Sequence, residues 1–331
     1  MFFGDAVVLS KFFILLTNFL NDIMERRNFI KTAVAGAVAG SLKFQPAKLF
    51  AKTKEQEKTP DLVAVMGGEP AEMYAKAIES LGGMGKYVKR GQKVVVKPNI
   101  GWDRTPEEGA NTTPELVVAI IKDCFGAGAS EVVVFDRTCD EWSACYKNSG
   151  IEAAAKAAGA KVVFGHEERY YREVLLPKGV RLKSTKIHEA IINCDVWFNV
   201  PILKHHGGAK ATIAMKNYMG INWDRRIMHA NNLQQCIADL ASYEKCPALH
   251  IVDAYRIMTQ NGPKGKSIED VQMGKALFVS PDMVAVDTAA VNYYNQFKPL
   301  TIADASHIIL GEQLQLGTTK LENIKIERIR L

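Results

Sequence analysis

Residues 94–136 have the sequence VVVKPNIGWDRTPEEGANTTPELVVAIIKDCFGAGASEVVVFD. The stretch begins with one β-branched run, 94–96, and ends with another, 132–135. Between the two runs, Thr113 can cap a helix that has Pro114 at its first position. A strand, a helix and a second strand in this order predict two parallel strands joined by a helical crossover.

The same alternation continues on both sides of this stretch. Because the runs are short and apolar on both faces, they predict an α/β fold with a mostly parallel sheet covered by helices on both faces, and with a ligand rim at the C-terminal ends of the strands. Residues 170–186 are more polar and alternating, which predicts an excursion or a small antiparallel piece. The further predicted strands are 62–66, 162–164, 196–198, 249–252 and 276–279, and the further predicted helices are 71–81 and 151–158.

Composition excludes several classes of protein. The 331 residues are 47% hydrophobic and 24% charged, which is typical of a globular chain and not of a disordered or polytopic membrane protein. The net charge is +6, and half of it lies in residues 1–51. Since the remainder contains no long Lys/Arg block, we do not expect a nucleic-acid partner.

Residues 24–51 have the parts of an export signal. The pair Arg26-Arg27 and Lys31 precede a weakly apolar run, 32–42, and a polar exit region follows. This order resembles a twin-arginine signal and predicts export to the periplasm by the twin-arginine machinery. The apolar run is too short to span a bilayer, so we expect no stable membrane span in the mature form. An amphipathic basic N-terminus without an export role is the alternative.

These features divide the chain at about residue 51. Residues 1–51 are predicted to be an N-terminal extension and signal, with Met24 as the natural start and cleavage near Ala51. Residues 1–23 are interpreted as an upstream start-site extension, with a weak membrane-associating helix as the alternative. Residues 52–331 are predicted to form a single α/β domain, with two lobes as the alternative.

None of the six cysteines is spaced Cys-x-x-Cys. Zinc-ribbon and ferredoxin patterns are therefore absent, and the chain has no iron–sulfur cluster motif of its own. We expect mostly free structural thiols. Cys139 and Cys145 are the only pair close enough in sequence to be tested for a disulfide.

Polar residues follow four of the predicted strands. Lys97 and Asn99 follow the run 94–96, Asp136 follows 132–135, Asn199 follows 196–198, and Asp253 follows 249–252. Each of these taken alone is more typical of a helix cap or a turn. If the runs are neighbouring parallel strands, the side chains converge on one rim.

The densest group of polar residues lies in NVPILKHHGGAKATIAMKNYMG, residues 199–220. Its lysines and glycines follow a strand and predict a loop that holds an anion or, through His205 or His206, a metal. Adjacent histidines point in different directions, so only one can face a ligand. Lys216 lies one helical turn past Thr212, so both can face the site if the segment is helical. A solvated basic loop is the alternative, and the glycine pair matches neither a GxGxxG nor a Walker pattern.

One further acid, Asp287, lies in an apolar helical stretch that begins near Ser280. A carboxylate in such surroundings is costly unless it is paired or faces a ligand. A lysine partner is the alternative to a ligand.

Taken in order, these motifs resemble the domain-of-unknown-function family 362 over roughly residues 62–295. The resemblance implies an α/β domain with a shared site at the motifs, and it does not supply a reaction. Many members carry a ferredoxin-like cysteine cluster, which this chain lacks. The motifs that carry the resemblance are 95–99, 112–115, 199–205, 214–220, 252–265 and 280–287.

The leading hypothesis is an exported enzyme that acts on a small anionic substrate, assisted by a divalent metal. Lys97, Lys204 and Lys216 neutralise or position the anion, and Asn99 and Asn217 orient it. The groups predicted to bind substrate or cofactor are Lys97, Asn99 and Asn217, and those predicted to be catalytic are Lys204, His205, Lys216 and Asp253.

The predicted metal ligands are Asp136 and Asp287, and Asp253 can supply either ligation or general base chemistry. Serine hydrolase and zincin mechanisms are excluded, since neither Gly-x-Ser-x-Gly nor His-Glu-x-x-His occurs. The alternative function is a non-catalytic periplasmic anion- or cofactor-binding or accessory protein. A third is redox maturation through Cys139 and Cys145.

Overall fold

A computed structural model describes residues 59–331 of the chain. The predicted extension, the export signal and the boundary near residue 51 lie outside the described residues. Lys58–Leu331 cluster as one compact unit. No helix within residues 59–331 has the length and apolar character needed to cross a membrane.

One large sheet organises this unit, and a two-stranded sheet accompanies it. The strands are β1 Leu62–Met66, β2 Lys93–Pro98, β3 Glu131–Val134, β4 Lys161–Val162, β5 Tyr171–Leu175, β6 Ser184–His188, β7 Val196–Val200, β8 Ile202–His206, β9 Lys210–Thr212, β10 Leu249–Met258, β11 Val271–Ser280 and β12 Ile326–Arg330. The strand order along the large sheet is β12-β1-β11-β10-β7-β2-β3-β4, with β8 paired to β10 and β9 paired to β8.

The helices connect and cover these strands. They are α1 Pro70–Ser80, α2 Pro114–Gly126, α3 Trp142–Asn148, α4 Ile151–Ala157, α5 Glu189–Asn193, α6 Ala214–Asn217, α7 Arg225–Ala230, α8 Leu233–Ala241, α9 Met283–Tyr294 and α10 His307–Gln313.

The predicted mostly parallel α/β sheet is confirmed. The strands β4, β3, β2, β7 and β10 pair in parallel, one after the other. Strand β9 runs antiparallel to β8, and strand β11 runs antiparallel to both of its neighbours, β1 and β10. Strand β11 follows β10 through a short connection that contains no crossover helix, and a parallel neighbour would need such a helix.

Helices cover both faces of the sheet, as predicted. On one face, Met73 of α1, Leu116 of α2 and Ile151 of α4 pack with the β2 residues Val94 and Val96. On the other face, helices α8, α9 and α10 pack over the opposite side chains of the same strands, which include Val95 and Trp197. Because successive strand residues point to opposite faces, an apolar run buried on both sides needs helices on both sides.

Two short hairpins depart from the alternating pattern. Strands β5 and β6 pair antiparallel, as the polar stretch at 170–186 indicated. Residues 202–212, predicted to be a loop, instead form the antiparallel hairpin β8–β9. Thr212 therefore ends a strand while Lys216 lies in α6, so the segment that joins them is not one helix.

The order of the strands defines a switch point between β2 and β7. From β2 the chain moves to β3 and β4 on one side, whereas from β7 it moves to β10 and β11 on the other side. Lys97 and Asn199 are register partners across this junction. In open parallel sheets, a crevice forms beyond the carboxyl ends of the strands at such a point, and ligands bind there.

Candidate anion-binding site

A buried ion pair lies at the carboxyl end of β2. Lys97 Nζ is 2.9 Å from Asp136 Oδ1, and both side chains are almost fully buried. The ammonium also donates to Pro98 O at 2.9 Å and to Asn217 Oδ1 at 2.8 Å. Burial lowers the pKa of Lys97, and the Asp136 carboxylate opposes that shift. Lys97, predicted to bind the anion directly, is therefore fully occupied by protein groups.

The backbone at Gly220 approaches this ion pair closely. A Cβ atom at this position would lie 1.8 Å from Asp136 Oδ1 and 2.5 Å from Lys97 Nζ. The Gly220 carbonyl also accepts from the Arg137 amide at 3.0 Å. A side chain at residue 220 would therefore displace the pair.

Three asparagine amides connect the strands around the pair. Asn217 Oδ1 accepts from Asn99 Nδ2 at 2.9 Å, and Asn217 Nδ2 donates to Asn199 Oδ1 at 2.8 Å. Asn199 Nδ2 donates to Ala214 O at 2.9 Å, where α6 begins. The network fixes Asn99 and Asn217 by hydrogen bonds from β2 to α6.

A small cavity of about 50 Å³ opens next to this network. We call it the cation-lined cavity, because Lys204, Lys216, Arg137 and Arg225 all contribute to its wall. Among residues 59–331, Asp136 is the only acidic residue in the wall, and it is already paired with Lys97. The other lining residues are Asn99, Gly101, Trp102, Cys139, His206, Thr212, Asn217, Met219, Gly220 and Pro263.

The two lysines are held differently. Lys204 is buried and donates to Asn99 Oδ1 at 3.1 Å and to Ala110 O. Burial lowers its pKa to about 7. Lys216 keeps some solvent contact, and burial lowers its pKa to about 8. No hydrogen-bond or ion-pair partner of the Lys216 ammonium is found among residues 59–331.

Arg137 lies in the loop after β3, and Arg225 is the first residue of α7. Arg225 donates to Arg137 O at 3.0 Å and to Thr138 O. The Arg137 guanidinium lies over the Trp223 ring, 4.4 Å from its centroid. Its Nε atom is buried and has no hydrogen-bond partner in the described part of the chain. Burial, followed by the charge of Arg225, lowers the pKa of Arg137.

The adjacent histidines point in different directions, and His206 is the one that lines the cavity. Its Nδ1 accepts from the Gly208 and Ala209 amides at 3.1 and 3.0 Å. Burial and the nearby lysine charges lower its pKa to about 2, so the ring is neutral and carries its proton on Nε2. His205, predicted to be catalytic, instead accepts from the Gly262 amide at 3.0 Å and is not part of the wall. The choice between the two histidines is therefore corrected.

The acids predicted to share a metal each bind different protein groups. Asp253 accepts from the Thr113 amide at 2.8 Å and from the Tyr255 amide at 3.0 Å. Asp287 accepts from the Ala214 and Met215 amides at 2.7 and 2.9 Å. Neither acid lines the cation-lined cavity, whereas Asp136 does.

Within residues 59–331, no group of three or more His, Cys, Asp or Glu side chains is arranged to hold a metal ion. The residues present do not fit a divalent metal, and the shared-metal hypothesis is dropped. Asp253 and Asp287 instead satisfy the unpaired amides at the start of α2 and α6.

Cys139 and Cys145, the pair considered for a disulfide, are both free thiols. Cys145 is buried, with its sulfur 3.8 Å from Gly101 O. Cys139 is exposed and lines the cavity, where Arg225 Nη1 donates to its sulfur at 3.2 Å.

A larger cavity of about 400 Å³ lies against strands β2–β4 and helix α5, and it differs in character. Its wall includes the valines 95 and 133 and charged residues of both signs, among them Lys161 and Glu189. Its wall does not have the excess of positively charged side chains that the wall of the cation-lined cavity has.

Comparisons with known proteins identify relatives of this chain. The family model described as Domain of unknown function (DUF362) matches residues 94–292. A thylakoid-associated protein of Synechocystis sp. is 26% identical over 253 residues, which cover 74% of this chain and 75% of that protein.

Two solved structures are weakly similar to this chain. A protein of Thermotoga maritima matches with a TM-score of 0.43 and 11% identity, over 74% of this chain and 60% of its own. The lactate racemase apoprotein of Thermoanaerobacterium thermosaccharolyticum matches with a TM-score of 0.33 and 12% identity, over 65% of this chain and 53% of its own. The chain thus spans less than two thirds of either solved chain. The family match, in contrast, covers more than half of the sequence and includes β2, β3, β7 and the cation-lined cavity between them, and the chain therefore belongs to the domain-of-unknown-function family 362.

Proposed function

We propose that this protein binds a small anion in the cation-lined cavity. The observation that carries the proposal is the excess of positive charge in the wall. Lys204, Lys216, Arg137 and Arg225 face one space, and the acid that the described chain contributes there, Asp136, is paired with Lys97. Enclosed cations without counter-charges are costly, and a bound anion offsets that cost.

The donor set favours the acidic head of an organic or inorganic anion. Arg137 has an unused buried Nε, Lys216 has an ammonium without a partner in the described chain, and His206 offers an Nε2 donor. A volume of about 50 Å³ suits a carboxylate, sulfate or phosphate group and excludes a nucleotide. Guanidinium and ammonium groups are the usual donors to such oxygens.

The second candidate function is catalysis on the bound anion, and the lowered pKa of Lys204 supports it. An amine whose pKa is lowered to about 7 by burial exchanges protons readily near neutral pH, as a general base must. The alternative is a binding or accessory protein that holds the anion without changing it. Both candidates require the same anion site.

The anion site is tested by thermal unfolding in sulfate. Sulfate at 100 times its Kd should stabilise the folded chain by about 2.7 kcal/mol. Lys216→Met should weaken sulfate binding about tenfold or more, because a ligand-facing cation is lost. The unliganded Tm should be unchanged or higher, since the variant removes an enclosed charge that has no partner in residues 59–331.

The matched control is Lys122→Met, which removes the same charge from an exposed position on α2. It should respond to sulfate like the wild type. Equal sulfate stabilisation of the wild type and Lys216→Met would contradict the proposal, as would the absence of any sulfate effect on the wild type.

We also propose that the protein is exported to the periplasm by the twin-arginine route. The support is the order of the pair Arg26-Arg27, the residues Phe29 to Lys31 and the weakly apolar run that follows. Replacing both arginines by lysine should retain the precursor in the cytoplasm, as measured by cell fractionation. Conservative replacement of Lys43 by Arg is the control. An unchanged periplasmic yield of the double variant would contradict export by this route.

A further inference from the structure

Cys139 lies at the mouth of the cation-lined cavity. It is exposed, it lines the cavity, and its amide donates to Gly101 O at 2.7 Å, which fixes the backbone. Arg225 Nη1 donates to its sulfur at 3.2 Å. A thiol that is both accessible and hydrogen-bonded to a guanidinium has the surroundings of a reactive cysteine.

The cations of the cavity act on the same sulfur. Lys97, Lys204, Lys216 and Arg137 each interact electrostatically with Cys139. The same charges hold an anion beside that sulfur, so nucleophile and ligand would share one electrostatic environment.

The other five cysteines lack this combination. Cys124, Cys145, Cys194 and Cys236 are buried. Cys246 is exposed, its sulfur lies 3.8 Å from the Tyr243 carbonyl oxygen, and burial, opposed by the charge of Lys178, raises its pKa. It is therefore an exposed reference thiol within the same chain.

We propose that Cys139 is the nucleophile of this site, and that the anion held by Lys204, Lys216 and Arg137 is a small carboxylate carrying an electrophilic carbon. This inference rests on the proposed anion site. The Cys139 thiol releases its proton to solvent, and its sulfur then forms a bond to the electrophilic carbon. The bond from that carbon to the leaving group breaks, and the leaving group departs with the electron pair.

The test compares two alkylating reagents on the full chain. Iodoacetate is a small carboxylate with an electrophilic carbon, and iodoacetamide is its neutral counterpart. Peptide mass spectrometry gives the alkylation rates of Cys139 and Cys246. We expect the rate ratio of iodoacetate to iodoacetamide to be at least about tenfold higher at Cys139 than at Cys246, because the cavity concentrates anions. Sulfate should slow alkylation of Cys139 by iodoacetate and leave Cys246 unaffected.

Two variants test whether the cations of the cavity cause the iodoacetate preference of Cys139. Arg225→Met and Lys216→Met should each lower the iodoacetate preference of Cys139, whereas Arg226→Met, an exposed neighbour on α7, should not. If sulfate stabilises the protein but Cys139 and Cys246 show the same reagent preference, the nucleophile is wrong and the anion site stands. If sulfate neither stabilises the protein nor protects Cys139, the anion site itself is wrong.

Discussion

The absence of a side chain at Gly220 leaves room for the buried Lys97–Asp136 ion pair beside the cavity. A Cβ atom at residue 220 would overlap Asp136 Oδ1 and Lys97 Nζ. Both partners are enclosed, so neither can move into solvent to make room. The requirement is steric and local, because the backbone of Gly220 is not left-handed.

We predict that Gly220→Ala lowers the free energy of unfolding by about 1–3 kcal/mol, because overpacking a buried site forces side chains apart. Chemical denaturation measures the change. Gly126→Ala is the control, since nothing lies within 4 Å of the added methyl group on α2 and alanine favours a helix over glycine. Its stability should be unchanged or higher. A Gly220→Ala variant as stable as the wild type would show that the pair tolerates the methyl group.

Sequence reasoning located some residues of the site and missed others for identifiable reasons. Asn99 and Asp136 could be found because each follows an apolar run, and the carboxyl ends of parallel strands meet. A loop prediction for this segment cannot tell which of His205 and His206 faces the site. In strand β8, alternate side chains share a face, so Lys204 and His206 point the same way. No sequence pattern near residue 225 indicated that Arg225 belongs to the site, because it reaches the cavity from a segment outside the predicted motifs.

At the scale of elements, α6 places Lys216 and Asn217 in the site. It contains only four residues, Ala214–Asn217, so its own hydrogen bonds cannot hold it. Asp287 on α9 accepts from the first two amides of α6. The carboxylate of a long buried helix thus anchors the short helix that carries two site residues.

We predict that Asp287→Asn changes how stability depends on pH. Burial raises the Asp287 pKa to about 7, above its unfolded value, so the folded state holds this proton more tightly than the unfolded state. That contribution is complete below pH 4 and is lost as pH rises to about 7. The stability of the wild type relative to the Asn variant should therefore fall between pH 4 and pH 7, as measured by denaturation at several pH values.

Asp282→Asn is the comparison variant, because Asp282 caps α9 and is only partly enclosed. Burial raises its pKa as well, so its contribution to stability should also fall as pH rises. A constant stability difference between the wild type and Asp287→Asn across pH 4 to 7 would contradict the raised pKa of Asp287.

At the scale of the whole molecule, most strands of the sheet could be predicted from the sequence, whereas the direction of β11 and the presence of β12 could not. Every predicted apolar run forms a strand of the large sheet, because short β-branched runs that are apolar on both faces are typical of buried strands in an α/β fold. The direction of β11 could not be predicted, since an apolar run looks the same in either direction. Strand β12 was missed, because its sequence, IERIR, is charged and lies at the edge of the sheet.

The switch point between β2 and β7 brings together charges from distant parts of the chain, and their protonation is coupled to folding and binding. Lys204 and Lys216 have folded pKa values of about 7 and about 8, below their unfolded values. A lowered lysine pKa contributes stability that is present at high pH and is lost as pH falls through the folded pKa. Without an anion, the protein should therefore lose part of its stability between about pH 10 and pH 7.

A bound anion reverses this cost, because it favours the charged form of both amines. We predict that sulfate binds more weakly as pH rises from 6 to 9, since Lys204 and then Lys216 lose their protons while the charge of sulfate stays constant. At pH 7.5 binding should take up protons, so the calorimetric enthalpy should vary with the ionisation enthalpy of the buffer. Lys216→Met should show a smaller pH dependence and less proton uptake, and Lys122→Met should match the wild type. Sulfate affinity that stays constant from pH 6 to 9, with no proton uptake in any buffer, would mean that the two lysines do not hold the anion.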